Sequence, residues 1–396
     1  MKRLAKLKGN IPWLTAYAWR ALTRRSFRQS GRHFVFCLAD HFEPGILPHE
    51  GSARADKGEQ ERRLEVWCRE IPRALGLWRD AEGRPFYHTY FYPAEQYDAD
   101  LIDRLAEHCR AGWGEIEIHL HHGVEEPDTR EHTEEQIIQF RDTLAKRHGC
   151  LSRWNGVGPV RYAFVHGNFA LANFKRNRAC GVDAEMQVLA DTGCYADLTM
   201  PSAPNDTQVA KINSLYECSL ALDQRAPHRR GNNLRLGRQP RIFPLMIQGP
   251  LMLDFSQASR KGFLPHIENS GLTWKYPATM ARLRLWERAA IAVEGRPDWI
   301  FIKLYCHGMH PRDASAMYGA PRETFLRELM EESKQSGRYQ VHFTTAREMT
   351  NIILAACDGR EGNPGDYRDY RLKKIEAGCG VNIEPTESSP VGVRRL

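Results

Sequence analysis

The sequence predicts an α/β protein built on a (β/α) barrel, and three observations point there. Strand-like runs recur along the chain and are often followed by helix-like ones, which is the pattern of a parallel sheet. Seven or eight such units fall within some 330 residues, which suits a closed or nearly closed barrel better than an open sheet. Polar, histidine-bearing clusters then recur at the ends of the strand-like runs, where parallel α/β proteins carry their chemistry.

Taken in order, "HFVFCLAD" (33–40) precedes the amphipathic "DKGEQERRLEVWCREIPRAL", and "PFYHTYFYP" (85–93) precedes "AEQYDADLIDRLAEHCRAG". "GEIEIHLHH" precedes "REHTEEQIIQFRDTLAKRHG". Its period-two alternation sets Ile116, Ile118 and Leu120 on one strand face and Glu115, Glu117, His119 and His121 on the other. "RYAFVHG" (161–167), "DAEMQVLADTG" and "CYADLTM" (194–200) follow. "RIFPLMIQGPLML" then reads as strand and "PATMARLRLWERAAIAV" as helix, before "WIFIKLYCHG" (299–308), "ETFLRELMEESKQSG", "YQVHFTTA" and "REMTNIILAAC" close the series. The expected organisation is a basic amphipathic segment at 1–32, the barrel at 33–357 and an irregular, Gly- and Pro-rich tail at 358–396.

Composition narrows the function. The chain of 396 residues is 42% hydrophobic and 27% charged, and no apolar run reaches bilayer length. Ten cysteines stand at 37, 68, 109, 150, 180, 194, 218, 306, 357 and 379 with no C-x-x-C pair, a pattern of reduced, buried thiols that predicts a cytoplasmic protein. The net charge of +7 is concentrated at the N-terminus, where residues 2–32 hold nine Lys or Arg and no acid. Trp13, Tyr17 and Ala21 share one stripe of a helix there and Arg20, Arg24 and Arg28 another, so this segment suits either packing on its own domain or peripheral contact with an anionic inner membrane surface. The basic stretch at 226–241 lacks interleaved aromatics or a nucleic-acid fold motif, and no nucleic-acid partner is expected.

Five strand ends carry candidate chemistry: Asp40, His41 and Glu43; His119, His121 and His122; His166 and Asn168; Asp191 and Asp197; and His307. A carboxylate with two imidazoles suits Zn²⁺ or another divalent first-row ion, with Co, Ni and Mn as alternatives. Asp40, His119 and His121 are the expected metal ligands. Glu43 or His41 stands beside them to activate water, and His307 opposite them to protonate a leaving group. His88 is assigned to the barrel interior or sheet face, and Tyr92 to a strand end where its ring can stack on a sugar.

In their order these motifs resemble the polysaccharide deacetylase (NodB homology, carbohydrate esterase 4-like) superfamily. "CLADHFEP" occupies the place of its paired acids, "GEIEIHLHHG" that of its metal-histidine strand, "YAFVHGNFAL" its third motif, "LADTGCYADLTMPSAP" its fourth and "IFIKLYCHG" its general-acid strand. The resemblance covers roughly residues 33–355. It implies an incomplete, seven-stranded (β/α) barrel and a metal-dependent hydrolase that removes acetyl groups from an amino sugar or glycan precursor in cell-surface polysaccharide metabolism. Asp197 is then a candidate to orient a histidine, and His166 and Asn168 are candidates to line the substrate cleft. Three positions depart from the family: Ala39-Asp40-His41 replaces the paired acids, Gly123 stands where a second histidine four residues on is usual, and the third-motif arginine is absent. The second metal histidine is therefore His121 or His122. A catalytically inactive glycan-binding or regulatory protein is the alternative.

Overall fold

The structure, a computed structural model, describes residues 11–20, 31–47, 54–219, 221–256 and 265–375. Its elements are β1 (Arg32–His41), α1 (Lys57–Leu75), β2 (His88–Pro93), α2 (Ala99–His108), β3 (Gly114–Leu120), α3 (Arg130–Lys146), β4 (Ser152–Trp154) and β5 (Val157–His166). They continue with α4 (Glu185–Thr192), β6 (Cys194–Asp197), β7 (Leu215–Cys218), β8 (Gly231–Asn233), β9 (Leu245–Ile247), β10 (Met252–Asp254), β11 (His266–Glu268) and β12 (Gly271–Leu272). The last are α5 (Met280–Ala289), β13 (Trp299–Cys306), α6 (Ala314–Tyr318), α7 (Ala320–Ser336), β14 (Tyr339–Thr344), α8 (Ala346–Cys357) and β15 (Leu372–Lys374).

The seven-stranded barrel is overturned. Among the described residues, thirteen strands form one curled, mostly parallel sheet, a half-barrel in the order β12-β13-β1-β2-β3-β5-β6-β9-β7-β8, with β14 beside β1 and β4 joining β15 to β5. The parallel centre runs from β13 through β1, β2, β3, β5 and β6 to β9, and β7 and β8 extend it antiparallel. The physical reason for the open curl is α8. All twelve of its residues are buried, and Met349, Ile352, Ile353 and Ala356 pack with Val35, Cys37, Phe91, Ala163 and Val165. The helix is enclosed on every side, its polar residues Arg347, Glu348 and Asn351 paired within the interior, and it fills the concave side that a closed barrel fills with strand side chains.

The opposite, convex face carries Phe34, Phe36 and Leu38 of β1, Ile116 and Ile118 of β3 and Tyr162 and Phe164 of β5. Against them lies α1, whose Leu64, Trp67, Ile71 and Leu75 recur at helical spacing. Its N-terminus is capped by Asp56, which accepts the Glu59 N–H. The β3 alternation runs as read, but both faces are buried. Glu115 on the inner face meets Arg347 of α8, and Glu117 takes the Tyr195 hydroxyl at 2.5 Å.

Trp13, in the helical segment over 11–20, is fully buried with Ala203, Ile212 and Leu251, and Arg20 donates to the Ile212 carbonyl. Arg24 and Arg28 lie outside the described residues. Among the described residues no helix is long and apolar enough to cross a membrane. The segment expected as an irregular tail is tied down as far as residue 375: β15 pairs with β4, and Asn351 of α8 holds the Arg371 and Leu372 amides. Residues 376–396 of that tail lie outside the described residues.

Candidate metal centre

Strand period two decides the site. In β1, Val35, Cys37 and Ala39 face the concave side and Phe34, Phe36 and Leu38 the convex side. His41 therefore points into the curl and Asp40 away from it. Asp40 is fully buried behind the sheet, where its carboxylate accepts the His88 Nδ1–H at 2.9 Å and the Gly308 N–H at 2.7 Å. It does not meet His119 or His121. This hydrogen-bonded plug beneath Trp67 also places His88 on the convex side of the sheet.

Five of the expected residues do converge, at the C-terminal ends of β1, β3 and β13. One donor atom from each of His41, Glu43 and His119 lies within 4.8 Å of the others. The His41 ring sits between those of His119 and His307, at centroid distances of 4.9 and 4.7 Å. Glu43 Oε1 is 3.9 Å from the Nε2 atoms of both His119 and His307. His121 packs edge-on to His119 at 4.5 Å.

The tautomers follow from the acceptors. His119 Nδ1 lies 2.7 Å from the Val165 carbonyl, which only accepts, so Nδ1 carries the proton and Nε2 the lone pair. That Nε2 is buried with no hydrogen-bond partner. His121 Nδ1–H donates to Glu95 Oε1 at 2.8 Å, which frees its Nε2 in the same way. An imidazole whose Nδ1–H is fixed on oxygen and whose Nε2 is left bare is the usual posture of a metal ligand. Burial, and then the neighbouring His307 and His119 rings, hold His41 well below its ordinary pKa. Burial and His121 do the same for His119, so both are neutral donors at pH 7. For His121 burial works the other way from its partners, and Glu95 and Glu43 raise it above the ordinary value.

Compared with protein-family models, curated proteins and solved structures, the chain matches none. The deacetylase resemblance thus rests on the strand-end residues alone. Buried His, Cys and carboxylate groups able to hold a cation are what the structure itself supplies.

The remaining expected residues are placed elsewhere. Tyr92 is buried on the convex side, its hydroxyl donating to the Gln96 carbonyl, and is no sugar platform. Asn168 is exposed. Asp197 closes on its own strand end, accepting the Thr199 hydroxyl at 2.8 Å, and Thr199 in turn accepts the His166 backbone N–H. It orients no imidazole directly. His122 and His166 turn to the convex side, where they meet Cys180 and Glu185. Asp191 lies on the surface of α4 beside Arg130.

Two groups beside the inner centre escaped the sequence reading. Glu95 is separated from His121 by a whole helical crossover, and nothing local marks it. Lys303 was legible in principle, as a lone charge in the apolar run "FIKLYC". It is buried, donates to the Leu198 carbonyl at 2.8 Å, and burial pushes its pKa down to about 7. Beyond the site, Gly123 has φ +59°, and a Cβ there would lie 1.7 Å from the Cys180 carbonyl oxygen. Gly123→Ala is expected to destabilise the fold by about 2–4 kcal/mol, combining left-handed strain with a backbone clash, read as a lowered urea midpoint at unchanged slope.

Proposed function

We propose that the chain is a divalent-metal-dependent hydrolase that removes an acyl group from an amino sugar or glycan precursor. The observation that carries the metal reading is the bare, buried Nε2 of His119 aimed at His41 and Glu43. An unsatisfied buried acceptor costs about 1–3 kcal/mol, and a cation held by these three residues removes that cost. The order of strand-end motifs supports the acyl-sugar substrate.

When bound, the cation polarises a carbonyl and makes water nucleophilic near neutral pH. The chain's own groups divide by exposure. His41 and His119 are buried and suit ligation, with Glu43 as the anionic donor, whereas the His121 and His307 side chains are 22% and 33% exposed and reach toward solvent and substrate. His121, oriented through Nδ1 by Glu95, takes the proton from attacking water, and His307 delivers one to the departing amine or alkoxide. These roles differ from the sequence expectation in two ways: Asp40 gives way to His41 and Glu43 as ligands, and the base moves to His121.

Chelator-treated protein is expected to lose hydrolysis of acetylated amino sugars or a nitrophenyl acetate and to regain it with zinc or cobalt. Hydrolysis indifferent to chelation, or absent from the fully metal-loaded protein on every such ester and amide, sinks the reading. Glu95→Gln is expected to lower kcat by about 10²-fold through loss of the oriented base, with metal content and KM unchanged.

A further inference from the structure

On the convex side of the same strand ends, we propose a second metal site, closed and structural, formed by His122, His166, Cys180 and Glu185. One donor atom from each lies within 4.8 Å of the other three, and all four residues are buried. Parity again explains the placement: His166 follows Phe164 on the convex face of β5, and His122 leaves the end of β3 one residue beyond the inward His121. Glu185 is the first residue of α4, and Cys180 comes from the loop that leads into it.

His166 carries the posture found at His119, with a bare Nε2, and His122 shares the oxygen-fixed Nδ1. His122 Nδ1 is 3.0 Å from Asp128 Oδ2, and His166 Nδ1 contacts the Gly167 carbonyl, so an oxygen fixes each ring and Nε2 faces inward. The two Nε2 atoms approach the same oxygen, Glu185 Oε1, at 2.8 and 3.3 Å. His122 Nε2 makes a hydrogen bond there, but His166 Nε2 makes none, although its side chain is fully buried. Cys180 Sγ lies 3.7 Å from Glu185 Oε2 and accepts two backbone N–H groups, from Asn173 at 3.2 Å and Val182 at 3.4 Å. Paired amide donors suit a sulfur that carries negative charge.

A metal-free account exists, with His122 as an imidazolium between Asp128 and Glu185. It satisfies Cys180 as a thiol donating to Glu185 Oε2 but leaves the buried His166 Nε2 orphaned. A cation at the centre satisfies all four donors at once. Two nitrogens, one thiolate and one carboxylate form a closed tetrahedral set of the kind zinc prefers. With no exposed member there is no open position for substrate, so the role is structural. The site clasps the β3–α3 connection, the end of β5 and the loop before α4. That loop carries Phe169, whose ring lies 6.2 Å from His41 at the inner centre. The Asp40, His88 and Cys306 group is different, because Asp40 is already engaged by His88 and the Gly308 amide.

The test uses tag-free full-length protein loaded with cobalt(II) and, separately, with zinc. The cobalt protein is expected to show a near-ultraviolet thiolate-to-metal charge-transfer band that survives His119→Ala and Cys306→Ser and is lost in Cys180→Ser. Zinc-edge absorption of the wild type, which needs no variant to fold, is expected to include a sulfur shell at about 2.3 Å. A cobalt protein without the band, a band that persists in Cys180→Ser, or a zinc shell of nitrogen and oxygen alone overturns the site. None of these outcomes touches the inner centre, whose cation depends on His119 and has no sulfur donor.

Discussion

Replacing His119 with alanine is expected to remove the inner cation and lower hydrolysis by roughly 10³-fold, since a catalytic metal supplies several kcal/mol of transition-state stabilisation. The reasoning is local. His119 is fully buried, its Nδ1–H is spent on Val165, and its Nε2 has nothing else to bind. The variant leaves the Val165 carbonyl without that donor and opens a small cavity, a combined loss of about 1–3 kcal/mol that a urea melt reads directly. Metal analysis, kcat and a urea melt of the same preparation separate the two effects. A variant that keeps both its metal and its rate counts against His119 as a ligand. His121→Ala is the contrasting case, expected to keep the metal and lose the rate.

The largest expected effect on stability is at Arg347. This arginine opens α8, is 1% exposed, and grips both Glu115 oxygens through Nε and Nη2 at 2.8–3.2 Å. Its Nη1 reaches Asp369 and the Arg368 and Leu372 carbonyls, so one side chain fastens the central helix to β3 and to the C-terminal segment. Arg347→Met leaves Glu115 buried without its main partner and is expected to cost about 3–5 kcal/mol at pH 7. Burial alone would raise the Glu115 carboxyl, but Arg347 and Lys374 hold it down to about 2, below its usual 4.5. A folded value below the unfolded one means the pair stabilises fully above about pH 4.5 and loses that contribution as pH falls toward 2. The gap between wild type and Arg347→Met should therefore narrow on acidification, as Glu115 takes up a proton in both. Adding Glu115→Gln to the variant should recover part of the loss. Equal urea midpoints at pH 7 would remove Arg347 from this role.

What the sequence disclosed, and what it hid, follows from strand geometry. The alternation in "EIEIHL" separates two faces correctly, but it cannot say which face is concave. Asp40 and His41 are neighbours on one strand, so one of them had to point away from the site. Nothing in "LADHFEP" marks the acid as the one that does. The same parity sends His166 outward although it ends a strand level with His119. Curl against closure was partly legible in one place, the run "IILAAC" (352–357), six consecutive apolar residues with no polar face, which suits the inside of the sheet better than its outer surface. The short strands β4, β7, β8, β12 and β15 carry too few residues for a periodic signal, and they help take the sheet beyond the seven strands expected, to thirteen among the described residues. Glu95, Cys180 and Glu185 join their sites only through tertiary packing.

The most direct test of the inner centre is anomalous scattering at the zinc edge from crystals grown with zinc. The account predicts a peak bounded by His41, Glu43 and His119, within ligating distance of His119 Nε2. Zinc found only at the Cys180 group, or no peak within reach of His119, would contradict it.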